Sequence, residues 1–298
     1  MPESGESIAQ VEVGYPPQSA IETLRSNPRF GEAIQLTARG WIEHYRGNRV
    51  LNALVNDAGR AQMGFLVLNL HWSRRPGDPA SGLTASRMIQ ACVEQKLCSA
   101  GRAEATLHLM RLFGYLEASS NPWDRRLKLL VPTEKLIETH MVRWRAMFQG
   151  MSLVMDEGAL GLSLLHDPDF APALIRNIYR RYDAGLSLNS AVPSLSLFSN
   201  RNAGLMILAS LLTEAGCGPA RLSISGLSSR FGVSRAHVRK ILADATAEGL
   251  VEKRDDELVA LMAAGLQLCE VFLATGYLAL GGCARAASLE LEQVRAVA

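Results

Sequence analysis

The chain has 298 residues, 48% of them hydrophobic and 20% charged, with a formal net charge of +2 at pH 7. That profile allows about two domains with a real core and excludes a disordered, strongly charged chain. Near-neutral charge also excludes nucleic-acid attraction by the chain as a whole, so any basic signal has to be local.

Residues 1–20, rich in Gly, Ser, Pro and Gln, are predicted to be disordered. The opening Pro2-Glu3-Ser4-Gly5-Glu6 has neither the basic nor the apolar region of a signal peptide. A helical pattern runs from about Phe30 to Tyr45. Arg60 to Ser73 is apolar enough for a buried helix. Arg74 to Pro79 reads as a loop from its Pro and Gly content. Thr84 then caps a helix over Ala85 to Gln95, and Ser99 caps another over Ala100 to Phe113 that Gly114 ends. Tyr115 to Ala118 is a predicted strand. Ser119 to Pro122 is a turn. Arg126 to Val131 alternates as the return strand, and Thr133 caps a long helix to about Met151.

The second half repeats this order. Asp167-Pro168 opens a helix to about Tyr182. A connection rich in Ser and Asn runs from Ser187 to Asn202, and Ala203 to Glu214 is a buried helix. Ser225 to Phe231 is a short helix, Gly232 supplies the turn, and Ser234 caps a helix to Glu248 that Gly249 stops. Leu250 to Arg254 and Glu257 to Leu261 form a hairpin, and a last helix covers about Ala263 to Leu280. Its apolar stretch is broken by Gln267 and Glu270, so no uncharged run reaches the ~18 residues of a membrane span; no membrane partner is expected. Matching offsets between Phe65–Trp72 and Leu205–Leu212, and between Ser99 and Ser234, indicate an internal duplication. The expected division is 1–20 disordered, 21–155 a first domain and 156–298 a second.

The most informative segment runs from Leu222 to Leu242. Leu227 and Phe231 face inward from one helix, Val233 plugs the turn, and Val238, Ile241, Leu242 and Ala245 form the inner stripe of the next. Arg235, Ala236, His237, Arg239 and Lys240 are left outward near a helix start, where the helix dipole favours phosphate. That is the arrangement of a recognition helix in a major groove. Arg235 or Arg239 suits guanine, and Ser234 or Lys240 suits phosphate. Ser223 and Ser225 at the preceding helix start, and Lys253 and Arg254 in the hairpin, complete the DNA-binding set of this half.

This stretch resembles the winged helix-turn-helix of GntR-type regulators, through Gly232-Val233-Ser234-Arg235, Val238-Arg239 and Glu248-Gly249-Leu250-Val251. Ser225 stands where that family carries an arginine on its scaffold helix. The first half resembles a MarR-type winged helix through Asn121-Pro122-Trp123-Asp124-Arg125-Arg126 and Pro132-Thr133-Glu134-Lys135. That resemblance implies that Asp124 orients the wing and that Arg125 or Arg126 enters a minor groove. The corresponding first-half DNA-binding residues are Ser99, Arg102, His108, Arg111, Arg125, Arg126 and Lys128, with Glu104 opposing phosphate among them.

These readings predict a mainly α fold: tandem winged helix-turn-helix units with small β-hairpin wings and long dimerisation-type helices. The expected function is sequence-specific regulation of transcription through double-stranded DNA. The MarR-type resemblance further implies a homodimer and a small-molecule effector in an apolar pocket at the domain junction. The alternative is a winged-helix scaffold for protein–protein interaction. No phosphate-binding glycine loop, zinc-protease helix or nucleophile elbow is present, so no enzyme and no cofactor are expected. Cys92, Cys98, Cys217, Cys269 and Cys283 match no metal spacing and read as reduced thiols of a cytoplasmic protein. His71, His108 and His140 read as satisfied or exposed side chains.

Overall fold

A computed structural model describes residues 14–55, 57–75, 77–120, 128–214, 220–253 and 258–297. The protein is mainly α with two small antiparallel sheets. In the first half the elements are α1 (Gln18–Arg25), α2 (Phe30–Tyr45), α3 (Arg49–Val55), α4 (Ala58–Trp72), α5 (Ala85–Glu94), α6 (Ala100–Leu112), β1 (Leu116–Ser120), β2 (Lys128–Pro132) and α7 (Glu134–Met151). In the second they are α8 (Asp156–Leu164), α9 (Phe170–Asp183), α10 (Leu188–Ala191), α11 (Ser196–Ser199), α12 (Gly204–Glu214), β3 (Ala220–Arg221), α13 (Ile224–Phe231), α14 (Arg235–Ala247), β4 (Val251–Lys253), β5 (Leu258–Leu261) and α15 (Ala263–Val297).

The expected order recurs in both halves: a buried helix, two shorter helices across a turn, a hairpin and a long helix. The sheets share a detail that periodicity does not reveal. Thr84, just before α5, bridges Leu129 of β2, and Leu130 N–H donates to Leu83 O at 2.9 Å. Likewise β3, ahead of α13, pairs antiparallel with β5 at Ala220–Val259 and Arg221–Leu258. In each half the strand returning from the hairpin is thereby pinned to the chain that enters the helix pair.

Both helix pairs turn through a left-handed residue. Gly232 takes it at φ +67°, while the first half uses Lys96 at φ +55°. The glycine adopts this conformation freely; the lysine does so at about 1–2 kcal/mol. Gly114 and Gly249 end α6 and α14 with φ +70° and +67°.

The halves exchange helices. α2 packs on α7 of its own half and on α12 of the other; α9 packs on α15 of its own half and on α4 of the other. Similarly α1 lies on α15 and α8 on α7. Reciprocal exchange of this kind is the pattern of an isologous interface, here within one chain. One buried cluster therefore runs from Ile21 to Leu291. Tyr277 of α15, fully buried, lies 2.5 Å from Thr37 Oγ1 and donates to Ala33 O at 3.0 Å, both on α2.

Several sequence expectations need correction. Helix α1 begins at Gln18, inside the segment expected to be disordered; residues 1–13 lie outside the described residues. Helix α9 starts at Phe170, because the Asp167 carboxylate accepts from Asp169 N–H and forms a turn before the helix. Thr133 precedes α7, but its hydroxyl donates to Gly114 O instead of capping the helix. Helix α15 continues to Val297, well past Leu280. By length and composition α15 is apolar enough to span a bilayer. In this fold Leu268, Phe272, Leu273, Tyr277, Ala284 and Leu291 bury that apolar length against α8, α9 and α1.

Candidate nucleic-acid interface

The helix α14 owes its position to α13. Leu227, Phe231, Val238, Ile241 and Leu242 are all buried to within 1% exposure. Burying residues of this kind stabilises the pair by roughly 1.5–3 kcal/mol per side chain. Ser223 Oγ accepts from Gly226 N–H at 2.8 Å and lies 3.1 Å from Ser225 Oγ, so both serines sit at the start of α13. Ser228 Oγ, donating to Val233 O, fastens the turn. Ser234 Oγ then accepts from His237 N–H at 3.1 Å and caps α14.

With the apolar stripe fixed inward, Ser234, Arg235, Ala236, Arg239 and Lys240 are exposed along one side of α14. Arg235 and Arg239 have no acidic partner among the described residues. Lys240 Nζ lies 3.1 Å from the Asp244 carboxylate, which also meets Arg201 at 2.7 Å. Arg201 foremost, then Lys240, holds the Asp244 carboxyl below its ordinary value. His237 departs from expectation. Its ring is half-buried and its Nε2 lies 2.9 Å from Asn202 O, so it ties α14 to the loop before α12. Lys253 is exposed on β4. Arg254 lies outside the described residues.

In the first half Ser99 Oγ caps α6 by accepting from Arg102 N–H at 3.4 Å. His108 and Arg111 are exposed on α6, Lys128 is exposed on β2, and Glu104 is exposed beside them. Arg102 points elsewhere than expected: its guanidinium donates to the Asp57 carboxylate at 2.9 Å. Asp57 is buried and also caps α4, accepting from Arg60 N–H at 2.9 Å. Arg125 and Arg126, like Asp124 and the rest of the first hairpin tip, lie outside the described residues. Val93, Leu112 and Phe113 add exposed apolar surface to this half, with Leu112 66% exposed.

No protein-family model matches this sequence, and neither a curated protein nor a solved structure matches it.

A cavity of about 220 Å³ lies at the junction of the halves, where the sequence led us to expect an apolar pocket, although its lining residues could not be named from the sequence. Trp41, Phe65, Trp144, Tyr182, Phe272 and Arg143 line it, drawn from α2, α4, α7, α9 and α15. It adjoins an outer, more polar chamber of about 430 Å³ that shares Asp57, Gln62, Tyr182, Ser187 and Asn189 with it. Beside the cavity His140 is buried between the rings of Phe65 and Trp144, at 5.0 and 5.8 Å. Among the described residues neither of its ring nitrogens has a hydrogen-bond partner, so it is not the satisfied or exposed histidine expected. Burial, with Arg143 adding repulsion, lowers its pKa to about 3.

Among the described residues no cluster of His, Cys, Asp or Glu has the makings of a metal site. Cys92, Cys269 and Cys283 are buried, and burial raises their thiol pKa values to about 12, 12 and 11, which disfavours the reactive thiolate. Cys98 is half-buried against Met63; Cys217 lies outside the described residues.

Proposed function

We propose that this chain is a sequence-specific DNA-binding transcription regulator built of tandem winged helix-turn-helix units, with α14 as its principal reading helix. One observation carries this reading. A glycine-turned, serine-capped helix is anchored by a fully buried stripe and presents Arg235 and Arg239 outward at its N-terminal half, with a hairpin following. Exposed arginines without acidic partners are free to exchange water for phosphate or a guanine edge. The first half repeats the arrangement with α5, α6 and the β1–β2 hairpin, and contributes His108, Arg111 and Lys128.

The helices that the MarR-type resemblance would use to join two chains are α2, α7, α9 and α15; here α15 touches α2 within one chain, and the halves meet chiefly through α2 on α12, α4 on α9, α7 on α8 and α1 on α15. A single chain therefore supplies both units, and the homodimer expected from the sequence would hold four.

The scaffold reading keeps one specific support: Arg102 is committed to Asp57, and Val93, Leu112 and Phe113 expose apolar surface near α6. It assigns the first unit to a protein partner instead of DNA. Selection from a pool of random genomic duplexes tests the choice. A regulator enriches particular fragments, and Arg235→Ala/Arg239→Ala loses the enrichment. A chain that retains no duplex at low salt is a scaffold.

A further inference from the structure

The two candidate reading helices are equivalent position by position. Counted from their capping serines, Ser99 and Ser234, the buried stripe Ala103, Thr106, Leu107 and Met110 of α6 matches Val238, Ile241, Leu242 and Ala245 of α14. The third residue of each helix gives its N–H to the cap: Arg102 to Ser99 Oγ, and His237 to Ser234 Oγ. The exposed positions match in place but not in chemistry. Where α14 presents Arg235, Arg239 and Lys240, α6 presents Ala100, Glu104 and Ala105.

The side chains of the two third residues lead to one another. Arg102 Nη2 donates to Asp57 Oδ2 at 2.9 Å, and Arg60 Nε stands 3.5 Å from the same oxygen. Arg60 Nη1 then donates to Asn202 Oδ1 at 3.4 Å, and Asn202 O meets His237 Nε2 at 2.9 Å. Asp57 precedes α4 and Asn202 precedes α12, the buried helices of the two halves, so the bridge crosses the seam between Arg60 and Asn202. It begins and ends at equivalent positions, and therefore joins the same ends of α6 and α14. In a helix-turn-helix dimer a twofold axis relates identical reading helices, and the operator is palindromic for that reason. Here the related helices differ in sequence, and nothing imposes a palindrome.

We propose that α6 and α14 form a two-armed reader of a duplex site whose halves differ: Arg239 takes guanine in one half, Glu104 takes cytosine at the equivalent position of the other, and the Arg102–Asp57–Arg60–Asn202–His237 bridge sets their spacing. The proposal rests on the regulator reading above and names the kind of duplex it would take. An arginine fits the O6 and N7 acceptors of guanine, whereas a carboxylate accepts from the N4 amino group of cytosine. Glu104 is exposed and has no cationic partner among the described residues, so it is available for that contact. Its charge opposes phosphate, so α6 adds selectivity while the cations of α14 supply attraction.

Selection of the full chain on a pool of random duplexes tests this. The enriched sites should carry two unlike half-sites about 10 base pairs apart, one helical turn, with guanine in one and cytosine at the matching place of the other. Glu104→Arg, which gives α6 the residue of α14, should exchange that cytosine for guanine by roughly 10-fold in relative affinity and leave the other half unchanged. Glu104→Gln should move the same position to adenine. Arg60→Met breaks the bridge. It should lose the wild type's discrimination against sites with one base pair inserted between the halves, yet bind an isolated α14 half-site as the wild type does. Melting curves verify that the variants fold. A palindromic pair, a lone half-site, or Glu104 variants with wild-type base preference overturn the two-armed reader and leave reading by α14 standing. Equal spacing discrimination in the wild type and Arg60→Met overturns the bridge. Enrichment of no duplex at all overturns the regulator reading itself, and this proposal with it.

Discussion

Placing a single methyl group at Gly150 tests the seam between the two halves. A Cβ there would meet Thr37 Oγ1 and Tyr277 OH, and would stand 2.6 Å from Ala33 O. Thr37 and Tyr277 are fully buried and bonded to each other at 2.5 Å, so neither can turn away cheaply, and the Ala33 oxygen is backbone. Helices α2 and α7 must therefore part. Overpacking of this sort costs about 1–3 kcal/mol, and loss of the Thr37–Tyr277 bond adds about 1 kcal/mol. Against this, exchanging glycine for alanine inside a helix returns about 1 kcal/mol. The net loss is about 2 kcal/mol, or a fall in Tm of about 3 °C at this chain length. Gly101→Ala is the control: on α6 its Cβ would meet nothing within 4 Å. It should raise Tm by about 1–3 °C from helix propensity alone. Both are read by thermal melts. A Gly150→Ala variant as stable as the wild type would refute the close exchange of helices on which the fold depends.

The left-handed Lys96 predicts that Lys96→Gly stabilises the chain by about 1 kcal/mol in urea unfolding, whereas the same change at a right-handed helical position destabilises. His140 predicts an acid sensitivity. Its folded pKa of about 3 lies below the ordinary value of 6.5 because it is buried. The unfolded chain therefore takes up the proton first. The stabilisation is whole above about pH 6.5 and is lost at about 1.4 kcal/mol per pH unit below it. Urea midpoints measured on either side of that value should show the slope, and His140→Phe should flatten it. Asp57→Ala should cost about 1–2 kcal/mol by removing the α4 cap and the Arg102 ion pair. Asp57→Asn should recover most of that loss in the same melts.

Local signals carried the parts of the fold that were legible in the sequence. Caps at Thr84, Ser99 and Ser234, the glycine at 232, and the apolar stripe of Val238, Ile241 and Leu242 each state a boundary or a buried face within a few residues. Helix α15 was cut short because Gly281-Gly282 resembles a stop. Gly281 instead gives close passage to α8, where a Cβ would stand 2.8 Å from Met155 Cε. Helix α8 was missed because Gly158 and Gly161 lower its propensity, while both serve close packing against the 151–152 backbone and Phe148. The same limit applied at the site. Exposure of Arg235 and Arg239 follows from periodicity, but the engagement of Arg102 by Asp57 and of His237 by Asn202 joins residues 45 and 35 positions apart. No local pattern announces such pairs. The cavity was foreseen only as an apolar pocket at the junction, because its lining residues converge from many helices of both halves.

The most direct test of DNA reading by α14 is the salt dependence of duplex binding, for the wild type beside Arg235→Ala/Arg239→Ala. If each arginine neutralises one phosphate, the slope of log K against log salt should become shallower by about 1.8 in the double variant, at about 0.9 per phosphate. Steep wild-type binding with that change in slope is the predicted result. Equal slopes for the two proteins, or no binding at low salt, would contradict the account.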